Sequence, residues 1–97
     1  MQEDEFQAVV LCQALGSTTR YRILKLLAAR RMRPGQLAST LGKSKTVISV
    51  HLAKLRAAGL VRFKREATGL LYWLKPTGLK TVLGRLEAFA ASLKQRA

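Results

Sequence analysis

A mostly helical chain with one small β-hairpin, in the order α-α-α-α-β-β-α, is the fold predicted for these 97 residues. Three observations predict it. Two segments with helical apolar spacing meet at the tight turn Gly42-Lys43-Ser44. A run alternating apolar and basic residues, Leu60 to Arg65, is followed by turn residues and a second apolar run. The closing segment carries an apolar stripe of helical period. The length suits one domain, and no uninterrupted apolar stretch is long enough for a membrane span.

Each element has its own grounds. About Glu3 to Leu15, acids in the first turn suit the helix dipole, and Gly16 ends the helix. Its apolar residues Phe6, Val9, Val10, Leu11, Cys12 and Leu15 cover more than one face, so it needs two partners, for one of which another chain is a candidate. Ser17, Thr18 and Thr19 offer caps for a second helix to Ala29, with Tyr21, Ile23, Leu24 and Leu27 inward and Arg20, Arg22 and Lys25 outward. Pro34 opens a short third helix to Leu41, and Gly42 stops it. Ser44 caps a fourth, Lys45 to Ala58, with Gly59 behind it. Helix, short glycine turn, helix over about 34–58 is a helix-turn-helix layout. In the fourth helix Ile48, His51, Leu52 and Leu55 share one face, and Lys45, Thr46, Ser49, Val50, Lys54 and Arg56 lie on the other. Small hydroxyls with lysine suit base edges and phosphates in a major groove.

Leu60 to Arg65 then has the period of a half-buried strand, Ala67-Thr68-Gly69 a turn, and Leu71 to Leu74 a return strand ended by Pro76. A hairpin directly after a recognition helix is a wing, here about 60–75, which makes the architecture a winged helix-turn-helix. The final helix, about Thr77 to Gln95, bears Leu79, Val82, Leu83, Leu86, Phe89, Ala90 and Leu93.

Charge points to the partner. Eighteen Lys and Arg stand against five Asp and Glu, a formal +13. Glu3, Asp4 and Glu5 are followed by no acid from Phe6 to Arg65, a window with 13 basic residues and no internal partner for them. Solvated faces usually mix signs, because like charges at helical spacing repel. An unmixed window of this length is expected to be a polyanion-binding surface, with nucleic acid the leading polyanion. Spread over several elements, it fits a membrane surface less well. The acidic N-terminus excludes a secretory signal, and one cysteine excludes a disulfide framework, so a cytoplasmic, nucleoid-associated setting is expected. Ser44, Thr46 and Ser49 have no histidine–carboxylate neighbours, and there is neither a carboxylate pair nor a phosphate loop in the acid-free window. No catalysis and no cofactor are therefore expected.

The segment Ala14-Leu15-Gly16-Ser17-Thr18-Thr19-Arg20-Tyr21-Arg22-Ile23-Leu24 resembles the opening of the ArsR/SmtB family of winged-helix repressors. So do Gln36-Leu37-Ala38, Leu41-Gly42-Lys43-Ser44, Val47 to Leu55, Ala58-Gly59-Leu60-Val61-Arg62 and Leu71-Tyr72-Trp73-Leu74. The likeness covers about Leu15 to Lys75. It implies a homodimeric DNA-binding repressor, dimerised through the first and last helices (about 3–15 and 77–95). Phe6, Val9, Val10, Leu83, Leu86 and Phe89 are then expected at the dimer interface. Family recognition positions fall on Ser44, Lys45, Thr46, Ser49 and Val50, with wing contacts at Arg62, Lys64 and Arg65. Val50 replaces a residue that is usually polar and could meet a thymine methyl. The family's metal-sensing Cys-x-Cys positions are Arg33 and Gly35 here, and no histidine follows His51, so metal sensing is not expected.

The resulting expectation is a homodimer binding duplex DNA at an inverted repeat, with Lys54, Arg20, Arg22 and Lys43 on phosphates and no known inducer. A sequence-tolerant architectural DNA or chromatin binder is the alternative, and an interaction module for RNA or an acidic protein a third. Free cysteine commonly sits as a small buried hydrophobe, and Cys12 is so placed, in an interface, with a redox switch as its alternative. His51 is expected as a hydrogen-bonded structural histidine rather than a phosphate contact. Tyr72 and Trp73 are expected to pack beneath the hairpin rather than stack on bases.

Overall fold

The computed structural model describes residues 1–94. Its elements run α1 (Glu3–Leu15), α2 (Thr18–Ala29), α3 (Pro34–Leu41), α4 (Lys45–Ala57), β1 (Val61–Glu66), β2 (Gly69–Leu74) and α5 (Leu79–Lys94). Order and types are those expected. The last helix begins at Leu79 rather than Thr77, because Thr77 and Gly78 form a turn in which the Leu79 N–H donates to the Pro76 carbonyl. The expected end at Gln95 lies outside the described residues.

Local chemistry sets the boundaries. Ser17 Oγ accepts from the Arg20 N–H at 3.2 Å, and Ser44 Oγ accepts from the Val47 N–H at 3.1 Å, so each serine satisfies a donor that its helix leaves open. At the start of α3 that work falls to Gln36, whose Oε1 accepts from the Arg33 N–H at 2.8 Å. Gly42 ends α3 at φ 65°, a left-handed conformation that glycine adopts without a Cβ clash.

The core is an apolar junction of four helices and the hairpin. Ile23, Leu24 and Leu27 of α2 meet Leu37 of α3, Ile48, Leu52 and Leu55 of α4, and Leu79 and Leu83 of α5. Val61 and Tyr72 close it from the antiparallel hairpin, whose register pairs Val61 with Leu74 and Phe63 with Tyr72. The Phe63 and Tyr72 rings lie 5.2 Å apart on this inner face. No charged or polar residue is buried among the described residues.

The link between α2 and α3 is more ordered than its basic sequence suggests. The Met32 N–H donates to the Tyr72 carbonyl at 3.1 Å and the Met32 carbonyl accepts from the Tyr72 N–H at 2.9 Å, a one-residue bridge along the edge of β2. The Met32 side chain is 1% exposed. Extended backbone is favoured here, since Arg33 precedes a proline.

At the other end the chain stands away from itself. No residue of α1 is buried, and every described residue of α5 from Gly84 onward is exposed. The radius of gyration is therefore 14.4 Å, against about 12.5 Å for a compact chain of this length. Leu83, expected at a dimer interface, is instead 1% exposed in the protomer's own core, one turn before α5 leaves it. Phe6, Val9, Leu86 and Phe89 are exposed in the protomer, while Val10 is half-buried; Val82 and Leu93 join the outer stripe.

Met32→Ala tests how far the buried side chain anchors this link. Loss of a fully buried methionine should lower stability by about 2–4 kcal/mol, read as a shift of the urea unfolding midpoint.

Candidate nucleic-acid interface

The second helix of the helix-turn-helix, α4, is divided by the core. Ile48, Leu52 and Leu55, at i, i+4 and i+7, are buried, which turns Lys45, Thr46, Ser49, Val50, Ala53 and Lys54 to the surface. Val50 is 51% exposed, so an apolar side chain stands free in the middle of this polar face. Ser44, expected among the base readers, already accepts a backbone N–H as the helix cap, and its hydroxyl proton is what remains to donate.

Lys45 and Ser49 share a groove with the wing tip. It is bounded by the first turn of α3 (Arg33, Pro34, Gly35, Gln36), by Lys45 and Ser49 of α4, and by Thr68, Gly69 and Leu70, with a volume of about 560 Å³. The two-residue turn Ala67-Thr68 between paired Glu66 and Gly69 brings the tip there. Gln36 and Thr68 were not anticipated. Their only sequence signal is proximity to turns, which does not distinguish them from any surface residue.

The three wing cations do not act from one face. Side chains alternate along a strand, so Arg62 and Lys64 lie on the outer face opposite Trp73 and Leu71, while Arg65 shares the inner side with Phe63 and pairs with Leu70 at the tip. Trp73 is correspondingly not beneath the hairpin. It is half-buried on the outer face with the Arg31 guanidinium 4.3 Å from its ring centroid. Tyr72 does pack inward, and burial raises its phenol pKa.

Several cations have partners that the sequence did not show. Arg20, expected on phosphate, donates from Nε to the Ala14 carbonyl at 2.8 Å and from Nη2 to the Gln13 carbonyl at 3.2 Å, closing the C-terminus of α1. The basic window is not without partners either, because two acids beyond it reach back. Glu66 holds Arg33 at 2.7 Å and Lys64 at 3.3 Å, and Glu87 holds Lys25 at 2.8 Å. Tyr21 Oη donates to the same Glu87 oxygen at 2.6 Å, and its pKa is pushed up to about 12 by burial and by that carboxylate. Arg22, Lys43, Lys45, Lys54 and Arg65 are exposed and in none of these ion pairs.

His51 lies on the packed side of α4 as expected, but not hydrogen-bonded as expected. Its Nδ1 is buried with no partner among the described residues. Desolvation, then the charges of Arg20, Lys54 and Lys43, hold its pKa below the ordinary imidazole value. Cys12 is exposed on α1 in the protomer.

A helix-turn-helix whose second helix and following hairpin line one cationic groove defines the class: a winged helix-turn-helix DNA-binding protein. Residues 17–62 match the family described as bacterial regulatory protein, arsR family. The transcriptional activator HlyU of Vibrio cholerae is 34% identical over 98% of this chain and 88% of its own length. The HlyU structure superposes with a TM-score of 0.83 over 92% of this chain and 97% of that one, at 35% identity. NolR from Sinorhizobium fredii gives a TM-score of 0.80 at 32% identity, over 90% of this chain and 87% of NolR. The Mycobacterium tuberculosis CmtR structure, described as a cadmium metal-sensor, gives 0.69 at 40% identity, over 80% of this chain and 81% of CmtR. The chain belongs to the ArsR family of DNA-binding transcriptional regulators.

Two outcomes follow for Arg20 and His51. Arg20→Ala should lower stability by about 1–3 kcal/mol through the loss of charged hydrogen bonds, while the salt dependence of DNA binding stays unchanged; denaturation and titration at several salt concentrations check both. For His51, the unfolded imidazole takes up its proton near pH about 6.5, and the folded one only at lower pH. The unfolded state then binds more protons, so stability is complete above that value and falls on acidification. Urea midpoints at pH 7.5 and 5.5 should show the fall, and His51→Gln should flatten it.

Proposed function

We propose that this protein is a homodimer that binds an inverted repeat in duplex DNA and represses transcription there, without a metal as its signal. The observation that carries the reading is the groove in which Lys45 and Ser49 of α4 face the wing tip, so that a base-reading helix and a backbone-reading hairpin address one duplex. Lys45, Thr46, Ser49 and the free hydroxyl proton of Ser44 meet base edges, and Val50 meets a thymine methyl. Lys43, Lys54 and Arg22 neutralise phosphates, Arg65 does so from the tip, and Arg62 and Lys64 reach the backbone from the outer face.

A dimer supplies what α1 and α5 lack. Val82, Leu86, Phe89 and Leu93 form one stripe at helical spacing, each more than 40% exposed, and Phe6 and Val9 on α1 are similarly bare. Apposing two copies through these helices places two α4 helices to meet successive major grooves, about 34–36 Å apart for half-sites one turn apart. Occlusion of polymerase is the simplest consequence. The description of HlyU as an activator fits the same contacts if a bound dimer displaces another repressor.

Metal independence rests on the donor set. The chain has one cysteine and one histidine, on α1 and α4, and Glu66 and Glu87 are already in ion pairs. A zinc or soft-metal site draws on several thiolates or imidazoles. Added zinc or cadmium should leave DNA affinity unchanged.

The deciding experiment is retention of sheared genomic duplex at near-physiological salt, followed by sequencing. Enrichment of fragments sharing an inverted repeat supports the reading; even retention across the genome replaces it with an architectural role. On the selected site, Lys45→Ala should cost about 1–3 kcal/mol of specific affinity and little on other duplexes. Arg65→Ala should make the salt dependence shallower by about one unit of log slope.

A further inference from the structure

Beside the groove stands one feature that opposes DNA. Glu66 is the only carboxylate between Glu5 and Glu87, and it stands at the end of β1, beside the wing tip that lines the groove. Any negative charge there repels phosphate, so a surface shaped for affinity alone would lack it.

Its contacts show what it does instead. Arg33 Nη2 donates to Glu66 Oε1 at 2.7 Å, and Nη1 of the same guanidinium donates to the Gly69 carbonyl at 3.3 Å. Glu66 and Gly69 are the paired residues that flank the turn. One arginine thus grips both strands of the hairpin at its tip. Arg33 is itself held by the bond from its backbone N–H to Gln36 Oε1. Glu66 Oε2 meanwhile draws in Lys64 at 3.3 Å, and these two cations hold the Glu66 carboxyl below the usual carboxylate range. The root of the hairpin is anchored by buried Val61 and Tyr72 and by the Met32 bridge, but at the tip Arg65, Ala67, Thr68 and Gly69 are all exposed. A two-stranded hairpin is marginal without such support.

We propose that Glu66 is a specificity-determining positioning residue: through Arg33 it fixes the wing tip against α3, and so fixes the distance across the groove from Thr68 and Gly69 to Lys45 and Ser49. It lowers affinity for DNA in general and raises discrimination between sequences, because a tip held in one place tolerates fewer groove shapes. The proposal rests on the sequence-specific reading above.

Glu66→Gln keeps the size and removes the charge. In the absence of DNA, amide exchange at the tip should quicken by about fivefold or more, with the α2 and α4 amides unchanged. Affinity for a short random-sequence duplex should rise about threefold at low salt. Affinity for the duplex recovered by selection should not rise with it, so the ratio of the two falls. Arg33→Gln removes the other half of the same grip; it should quicken tip exchange likewise and lower the same ratio, while affinity for the random-sequence duplex does not rise. Equal gains on both duplexes in Glu66→Gln, or tip exchange unchanged in either variant, overturns the proposal. A wild-type chain that does not distinguish the two duplexes defeats the sequence-specific reading instead, a failure visible before any variant is made.

Discussion

A chain carrying +13 must close on itself against its own repulsion, and here it does so by keeping charge out of the interior altogether. The buried set is aliphatic apart from Met32 and the Tyr72 ring, drawn from four helices and the hairpin. Burial of this kind is indifferent to the sign of the surface, so the exterior is free to be cationic. The division of α4 is the sharpest instance. Ile48, Leu52 and Leu55 hold the helix to the core, and because they occupy a single stripe the opposite face owes nothing to folding. Lys45, Thr46, Ser49 and Val50 can then be chosen for what they touch outside the protein.

Much of this was legible in the sequence because it depends on local periodicity and capping. The stripe on α4, the serine caps at Ser17 and Ser44 and the glycine stop at Gly42 are each set by residues a few positions apart. What was not legible involves partners far apart in the chain. Arg20 was read as a free cation since its hydrogen-bond acceptors are backbone carbonyls of α1, which every residue possesses and no sequence marks. Glu66 and Glu87 lie outside the acid-free window, and only the fold returns them to Arg33, Lys64 and Lys25. Leu83 and Leu86 both lie on the apolar side of the last helix; the fold alone decides that one is inside the protomer and the other outside. The run Arg31-Met32-Arg33 did carry a signal, basic-apolar-basic at strand period, but three residues are too few to tell a strand from chance.

The candidate site divides along the same line. The exposed face of α4 was legible from its pattern; the groove was not, since that needs the wing tip and the first turn of α3 in one place. The wing shows the limit of counting charges. Arg62, Lys64 and Arg65 read as one basic group, yet strand alternation sends them to two faces, and Trp73 goes outward with Arg62 to lie under Arg31. A pattern of two residues governs which cation can reach which surface, and it was present in the sequence once the register was known.

Glu87 sits about one turn past Leu83, the last buried residue of α5, and is gripped from α2 by both Tyr21 and Lys25. The described helix runs on for about ten residues beyond Gly84, about 15 Å at a rise of about 1.5 Å each, so a change of about 10° in its direction moves the far end by about 2.5 Å. The small polar knot around Glu87, on the first turn beyond the core, therefore braces the angle at which the exposed stretch of α5 leaves the protomer.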